Sequence, residues 1–173
     1  MKKLITAILA LLGLQAAHAV DNPAMALRQK YLSLPSSEFI QKYKNEPLIG
    51  ILMDTTFEDG GSYTLVVMID GTTSLYYSTG GGIIGIGEHE NVKAVAKAYF
   101  EAGKNYLSAA KEIKNFPLPK PGNTIFYFIT PTKVLRTDEI RENDLGEQKH
   151  KLSPLFYKAQ DVITQARQVT PKL

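Results

Sequence analysis

The chain has 173 residues, no cysteine and no tryptophan, and its 20 basic residues exceed its 17 acidic residues by three. The lack of cysteine excludes disulfides, a cysteine nucleophile and lipid attachment through a thiol. The small positive charge is not gathered into a basic run, so nucleic-acid binding is not expected. The length corresponds to about one ordinary domain.

The N-terminal residues have the three regions of a secretory signal peptide. Two lysines follow the initiator, an apolar run covers residues 4–14, and Ala17-His18-Ala19 supplies the small residues of a cleavage site. We expect residues 1–19 to be removed near Ala19, so that the mature chain begins at Val20 and acts in the periplasm or outside the cell. The apolar run is shorter than the roughly 20 residues of a membrane span, so no stable membrane anchor is expected.

Residues 20–46 are predicted to form a helical extension in front of a domain that spans 47–173. Apolar residues recur at helical spacing from Ala24 to Tyr43. Pro35-Ser36-Ser37-Glu38 interrupts this pattern with a helix-start signal, because a serine side chain can cap the first turn of a helix. Two short helices are therefore expected.

Five segments of the domain have the composition of strands. Asp70-Gly71 is typical of a tight hairpin turn, and Asp59-Gly60-Gly61-Ser62 is a flexible link. The first two strands are almost wholly apolar, which predicts that helices cover both faces of the sheet. The predicted strands are 48–53, 63–69, 73–78, 124–129 and 133–137.

Two longer helices complete the predicted fold. One runs from about His89 to Ala110, and the other begins near Ser153-Pro154 after a charged loop over 138–151. Proline-rich residues between them predict an extended connector over 114–122. This element order predicts an α+β domain with a single five-stranded antiparallel sheet and helices packed on it.

The glycine-rich segment after the third strand is the first candidate site. It reproduces G-x-G-x-x-G between a strand and a helix, where backbone amides can hold an anion or another small ligand. A dinucleotide is not expected, because the preceding strand belongs to a hairpin and the next strand does not end in an acidic residue. No cofactor is predicted, and a purely conformational role of the glycines stays open. The candidate ligand residues are Gly80, Gly81, Gly82, Gly85, Gly87, Glu88 and His89.

Metal binding and catalysis are further possibilities at the start of the same helix. Glu88, His89 and Glu90, with His150, are potential ligands, but consecutive helical residues point about 100° apart and cannot all chelate one ion. Acidic residues at a helix start are also favoured by the helix dipole. Hydrolysis would need His89 as a base or a carboxylate pair such as Asp54 and Glu88. We predict no metal site and assign no catalytic residue.

Tyrosines and an acidic turn form the second candidate site. Tyrosine offers rigid aromatic area that suits partner recognition, although tyrosine is also common in ordinary sheets. The candidate partner-binding residues are Phe57, Glu58, Asp59, Tyr63, Tyr76 and Tyr77.

Three strings resemble signatures of a family of small uncharacterised bacterial proteins. They are Asp70-Gly71-Thr72-Thr73-Ser74-Leu75-Tyr76, Gly80-Gly81-Gly82-Ile83-Ile84-Gly85 and Leu152-Ser153-Pro154-Leu155-Phe156-Tyr157. The similarity covers about residues 48 to 167 and implies no established activity and no catalytic residue. The element order also resembles the roadblock or profilin-like arrangement, which is a likeness of fold alone.

The sequence favours an exported, non-catalytic binding or interaction protein of the bacterial envelope. An immunity-type protein that neutralises a toxin is one form of this hypothesis, and its partner is another protein. A sensor that binds a small molecule or anion at residues 80–87 is the first alternative. An envelope hydrolase is the second alternative.

Overall fold

The computed structural model describes residues 22–36 and 39–169, and these residues form an α+β structure. One antiparallel sheet is accompanied, within this part of the chain, by five α-helices. The prediction of an α+β domain with an antiparallel sheet is confirmed. The predicted signal peptide, its cleavage point and the Ser37-Glu38 part of the predicted helix start lie outside the described residues.

The sheet has eight strands in the order β4-β3-β2-β1-β6-β7-β5, and β8 also pairs with β6. All neighbouring strands run antiparallel, and β1 pairs over its whole length with β2 on one side and β6 on the other. The strands are β1 (Gly50–Thr56), β2 (Ser62–Met68), β3 (Thr73–Tyr77), β4 (Gly82–Ile83), β5 (Lys111–Glu112), β6 (Asn123–Ile129), β7 (Val134–Arg136) and β8 (Ile140–Arg141).

The predicted number of five strands was wrong. The five predicted segments correspond to β1, β2, β3, β6 and β7, and the sheet adds β4, β5 and β8. Each of these added strands has two residues, which is too short to show the alternating pattern that reveals a strand in a sequence. The added strands arise because loop backbone pairs with open sheet edges and satisfies their hydrogen bonds.

The two long helices predicted from the sequence are both present in the structure, but their ends differ from the prediction. The predicted helix from His89 to Ala110 was too long, because its last part is a 3-10 turn over Lys104–Ala109. The segment 138–151, predicted as a loop, contains β8 and a short helix. The helices are α1 (Pro23–Leu32), α2 (Phe39–Lys42), α3 (Glu90–Gly103), α4 (Glu142–Gly146) and α5 (Ser153–Val169).

Helices α3 and α5 cover the first face of the sheet. Their buried side chains form one apolar cluster with strand residues such as Ile51, Leu65 and Phe126. Gly103 lies where α3 comes close to β1, because a Cβ atom there would be 2.1 Å from Cδ1 of Ile51. The close approach explains why α3 ends in glycine at this point.

The N-terminal helices α1 and α2 cover the second face of the sheet. Ala24, Leu32 and Ile40 share a cluster with strand residues that include Leu52 and Tyr127. The side chain of Asn22 caps α1 by accepting from the amides of residues 24 and 25. The expected covering of both faces is therefore present, and the described part of the N-terminal extension supplies one of the two covers.

Candidate functional site

The glycine-rich segment forms the β3–β4 hairpin turn and a 3-10 turn before α3. Gly80 and Gly85 have φ angles of +97° and +71°, a backbone region that favours glycine. The Gly80 amide donates to the carbonyl of Tyr77 at 3.0 Å, and the Gly85 amide donates to Oγ of Ser74 at 3.4 Å. These two amides are thus directed to partners within the protein.

Two further glycines of this segment lie where backbones approach closely. A Cβ atom on Gly87 would be 2.0 Å from the carbonyl oxygen of Gly71, and one on Gly82 would be 2.8 Å from the carbonyl oxygen of Leu75. Gly81 has no atom within 4 Å of such a Cβ position. The conformational role that the sequence left open thus accounts for Gly80, Gly82, Gly85 and Gly87 in geometric terms.

Glu88 and His89 are exposed, and His89 precedes the first residue of α3. Among the described residues, no group of three or more His, Cys, Asp or Glu side chains is placed to hold a metal ion. His150 lies elsewhere, where its Nδ1 accepts from the Leu152 amide at 3.2 Å, and burial lowers the pKa of its imidazole. The potential metal ligands therefore do not converge.

The candidate partner-binding residues divide into exposed and buried groups. Phe57 is 42% exposed, Glu58 and Asp59 are exposed, and Tyr77 is partly exposed. Tyr63 and Tyr76 are only 6% and 1% exposed, because they face opposite sides of the sheet and belong to its two cores. Their burial leaves little of either side chain for contact with a partner, and the assignment of these two tyrosines as partner-binding residues stays a prediction.

A groove of about 450 Å³ lies between α3 and the turn that joins β2 to β3. We call it the α3 groove. The apolar residues that line it are Val67, Met68, Ile69, Ala96 and Phe100, and we call them its floor. None of the residues 80–89 lines it. Gly87 lies beside it, through its close approach to the carbonyl of Gly71.

The rim of the α3 groove carries charges of both signs. The α3 side has Lys93, Lys97 and Lys104, together with Glu101. Lys104 is bonded to Glu101 at 2.8 Å, whereas Lys97 forms no ion pair with any residue that the structure describes. The α3 side of the rim therefore has an excess of positive charge.

The opposite side of the rim is acidic. Asp70 of the β2–β3 turn and Glu46, which precedes β1, line this side. Residues of both signs therefore line the α3 groove, although Oδ1 of Asp70 also accepts from the Thr72 amide at 3.0 Å, and Asp70 borders a second pocket beside Tyr31 of α1. Such a combination of apolar floor and charged rim is typical of surfaces that bind other proteins.

The sequence prediction missed the α3 groove, although a signal for it exists. Residues 93, 97 and 104 are spaced at i, i+4 and i+11 and fall on one side of a helix. The sequence prediction of this helix depended on its buried apolar stripe and assigned no role to its lysines. The facing carboxylates come from distant parts of the chain, so no local pattern could join them to α3.

A buried ion pair lies on the second face of the sheet. Arg28 of α1 donates from Nε to Oδ2 of Asp54 at 2.8 Å, and Thr64 donates from Oγ1 to Oδ1 at 2.5 Å. Nη1 of Arg28 also donates to the carbonyl of Phe116 in the connector at 3.0 Å. The guanidinium carbon lies 5.4 Å from the ring centre of Tyr127. This arrangement joins α1, the sheet and the connector, and it leaves Asp54 without access to a substrate.

Burial raises the pKa of the Asp54 carboxyl, while the Arg28 charge and the hydrogen bonds from Arg28 and Thr64 oppose this shift. Glu88, its suggested partner in glycosidic chemistry, is exposed on the 3-10 turn before α3. The two carboxylates therefore have no shared cleft. Asp54 acts in the packing of the N-terminal helix.

Within the described ranges, 22–36 and 39–169, no helix has the length and apolar character needed to cross a membrane. No family model, curated protein or solved structure is significantly similar to this chain. The resemblance to a bacterial family and to the roadblock or profilin-like arrangement stays a prediction.

Proposed function

We propose that the protein is an exported binding protein of the bacterial envelope and that it contacts a protein partner through the α3 groove. The observation that carries this proposal is a groove whose lining combines apolar residues with three lysines and with the carboxylates of Glu46 and Asp70. Apolar contact supplies affinity for a partner, and charged rims supply orientation and rate of association.

The size and rigidity of the α3 groove also support a binding role. The volume of about 450 Å³ lies within the range of sites that hold drug-sized ligands or the side chains of a bound segment. Its floor is fixed by residues that are part of the main core, including Val67 and Phe100. The groove is therefore preformed, and little binding free energy would be spent on ordering its side chains.

Immunity-type neutralisation of a toxin is a more specific form of the proposal. It is motivated by the predicted export and by the size of the chain. The predicted cleavage site provides a first test, since mass spectrometry of periplasmic material should find a chain that begins at Val20. Recovery of full-length chain in the cytosol alone would reject the proposed location.

An anion sensor at residues 80–87 is less well supported. The amides of Gly80 and Gly85 donate within the protein, which leaves fewer donors for a ligand. A thermal-shift screen of anions and nucleotides tests this alternative, because a ligand that binds the folded state raises the melting temperature. An envelope hydrolase stays the other alternative, and no described group of residues favours it.

The test of the proposed function is site-specific photo-crosslinking in cells. A photoreactive amino acid replaces Lys97 in the α3 groove, and a matched variant carries it at Lys111 on β5, at the opposite edge of the sheet. We expect one protein to be captured from position 97 and not from position 111. The captured protein is then purified, and its affinity for the unmodified chain is measured.

Two results would contradict the proposal. Equal capture from both positions would show contact without a defined surface. A purified candidate that binds the unmodified chain and the variant Phe100→Ala with equal affinity would show that the floor of the α3 groove does not contribute. Circular dichroism of Phe100→Ala is needed as a control, because Phe100 also belongs to the core.

A further inference from the structure

We infer that the α3 groove selects a partner segment that combines apolar side chains with carboxylates, and that these carboxylates meet the lysines of α3. This inference rests on the proposed function and names the chemistry of the partner. Its basis is charge complementarity between the two sides of the groove and a partner segment bound between them.

The apolar part of the inference follows from the floor. Ile69 is partly exposed, whereas Ala96 and Phe100 are nearly buried and present only their outer atoms to the groove. A partner that covers these atoms removes apolar surface from water, at about 25 cal/mol per Å². A fully polar ligand would gain nothing from this floor.

The acidic part of the inference follows from the basic wall. Lys93 and Lys97 are exposed and one helical turn apart, so their ammonium groups can both reach a segment lying along α3. Lys93 is 3.4 Å from Glu90, and both side chains are well exposed, so this pair is weak and can exchange for a partner carboxylate. Lys97 has no ion pair with a described residue and is available at once.

The acidic wall narrows the kinds of partner. Glu46 and Asp70 would repel the closely spaced phosphates of a nucleic acid or an anionic membrane surface. A protein segment avoids this repulsion because its side chains leave on different sides of its backbone. Carboxylates can therefore face α3 while neutral or basic side chains face Glu46 and Asp70.

The test is a selection of short random peptides on the folded chain. Peptides are displayed, selected on the unmodified protein, and selected again on the double variant Lys93→Glu/Lys97→Glu. The control variant is Lys111→Glu, which makes a lysine-to-glutamate change on the opposite sheet edge. Affinities of the enriched peptides are then measured by fluorescence anisotropy at about 0.05 M and about 0.5 M salt, because salt screens exposed charges.

We expect the enriched peptides to combine apolar residues with Asp or Glu. Their affinity should fall about tenfold or more for the double variant, should fall with salt, and should stay unchanged for Lys111→Glu. Enriched peptides that are neutral or basic and still compete at the α3 groove would overturn the inference and leave the proposed function standing. A selection that enriches no peptide dependent on residues 93, 97 or 100 would reject both.

Discussion

Arg28 donates two hydrogen bonds to the same carboxylate oxygen of Asp54. Its Nε and Nη2 lie 2.8 and 2.5 Å from Oδ2. The residues are 4% and 0% exposed, and they join the first described helix to the central strand of the sheet. A buried pair of this kind costs desolvation energy that the attraction between the charges must repay. Its clearest role is to fix where α1 lies on the sheet.

Removal of one partner should be strongly destabilising. Asp54→Ala leaves the Arg28 guanidinium buried without a counter-charge, and we expect the free energy of unfolding to fall by about 3 to 5 kcal/mol. Urea denaturation followed by circular dichroism measures this change. Thr64, which also bonds to Asp54, provides a milder comparison, because Thr64→Val removes one hydrogen bond and should cost about 1 to 3 kcal/mol.

Replacing both residues of the ion pair shows whether the instability of Asp54→Ala comes from an unbalanced buried charge or from lost packing. Arg28→Met combined with Asp54→Leu removes both charges, and its stability should lie within about 2 kcal/mol of the unmodified chain. A double variant as unstable as Asp54→Ala would mean that the geometry of the pair, rather than its charge balance, holds α1 in place.

The Arg28–Asp54 pair also marks the limit of what the sequence could predict. Asp54 directly follows the predicted apolar strand 48–53 and lies inside the observed β1, so a longer prediction for this strand would have called for a buried partner. The identity of that partner could not have been inferred, because Arg28 lies on a short helix and charged residues are mostly exposed. The long strands and helices were predictable because the strands are apolar runs between turn signals and the helices have a clear periodicity, although the helix that ends at Gly103 was predicted too long.

The candidate site was harder to predict than the fold. The glycine motif was recognised, but the same letters describe a phosphate loop and a close contact between turns, as at Gly87 and Gly71. The α3 groove depends on three chain segments that meet only in the folded state. A single sequence contains the lysines and carboxylates of its rim without the distances that bring them together.

The buried tyrosines should make the protein sensitive to alkaline pH. Burial raises the pKa of Tyr127 to about 12, and the nearby Asp54 carboxylate adds to the effect. Burial also raises the pKa values of Tyr31, Tyr63 and Tyr99. Because the folded state holds these protons more tightly than the unfolded chain, their stabilising contribution is complete below about pH 10 and is lost as the pH rises toward 12.

Tyrosinate absorbance and circular dichroism recorded together between about pH 9 and 12.5 test this expectation. The phenols of Tyr31, Tyr63, Tyr99 and Tyr127 should ionise together with the loss of the folded circular dichroism signal. Ionisation of all nine tyrosines near pH 10 while the circular dichroism stays that of the folded protein would contradict the raised pKa values of these four phenols.

The glycine segment offers a matched pair of substitutions. Gly87→Ala places a methyl group against the backbone of Gly71, which cannot move as easily as a side chain, and we expect a loss of about 1 to 3 kcal/mol in stability. Gly81→Ala meets no atom within 4 Å and should change stability by less than about 0.5 kcal/mol. Thermal denaturation compares the two, and equal losses would show that the segment is adaptable rather than closely packed.

Two tyrosines with opposite hydrogen-bonding states provide the last test. The hydroxyl of Tyr99 is buried between α3 and the sheet without a hydrogen-bond partner among the described residues, whereas that of Tyr127 donates to the carbonyl of Pro117 at 2.5 Å. An unsatisfied buried hydroxyl lowers stability, so Tyr99→Phe should leave stability unchanged or raise it by up to about 1 kcal/mol. Tyr127→Phe removes the hydrogen bond to the Pro117 carbonyl and should lower the free energy of unfolding by about 1 kcal/mol.

The comparison is informative because the two changes remove the same atom from the same residue type. Denaturation of both variants in urea gives the two differences directly. If Tyr99→Phe costs as much as Tyr127→Phe, the Tyr99 hydroxyl must have a partner in solution, and an internal water molecule between α3 and the sheet is the group that fits a buried polar atom. A stabilised Tyr99→Phe would instead show that this hydroxyl is dry, and that the core between α3 and β1 would accept a fully apolar side chain.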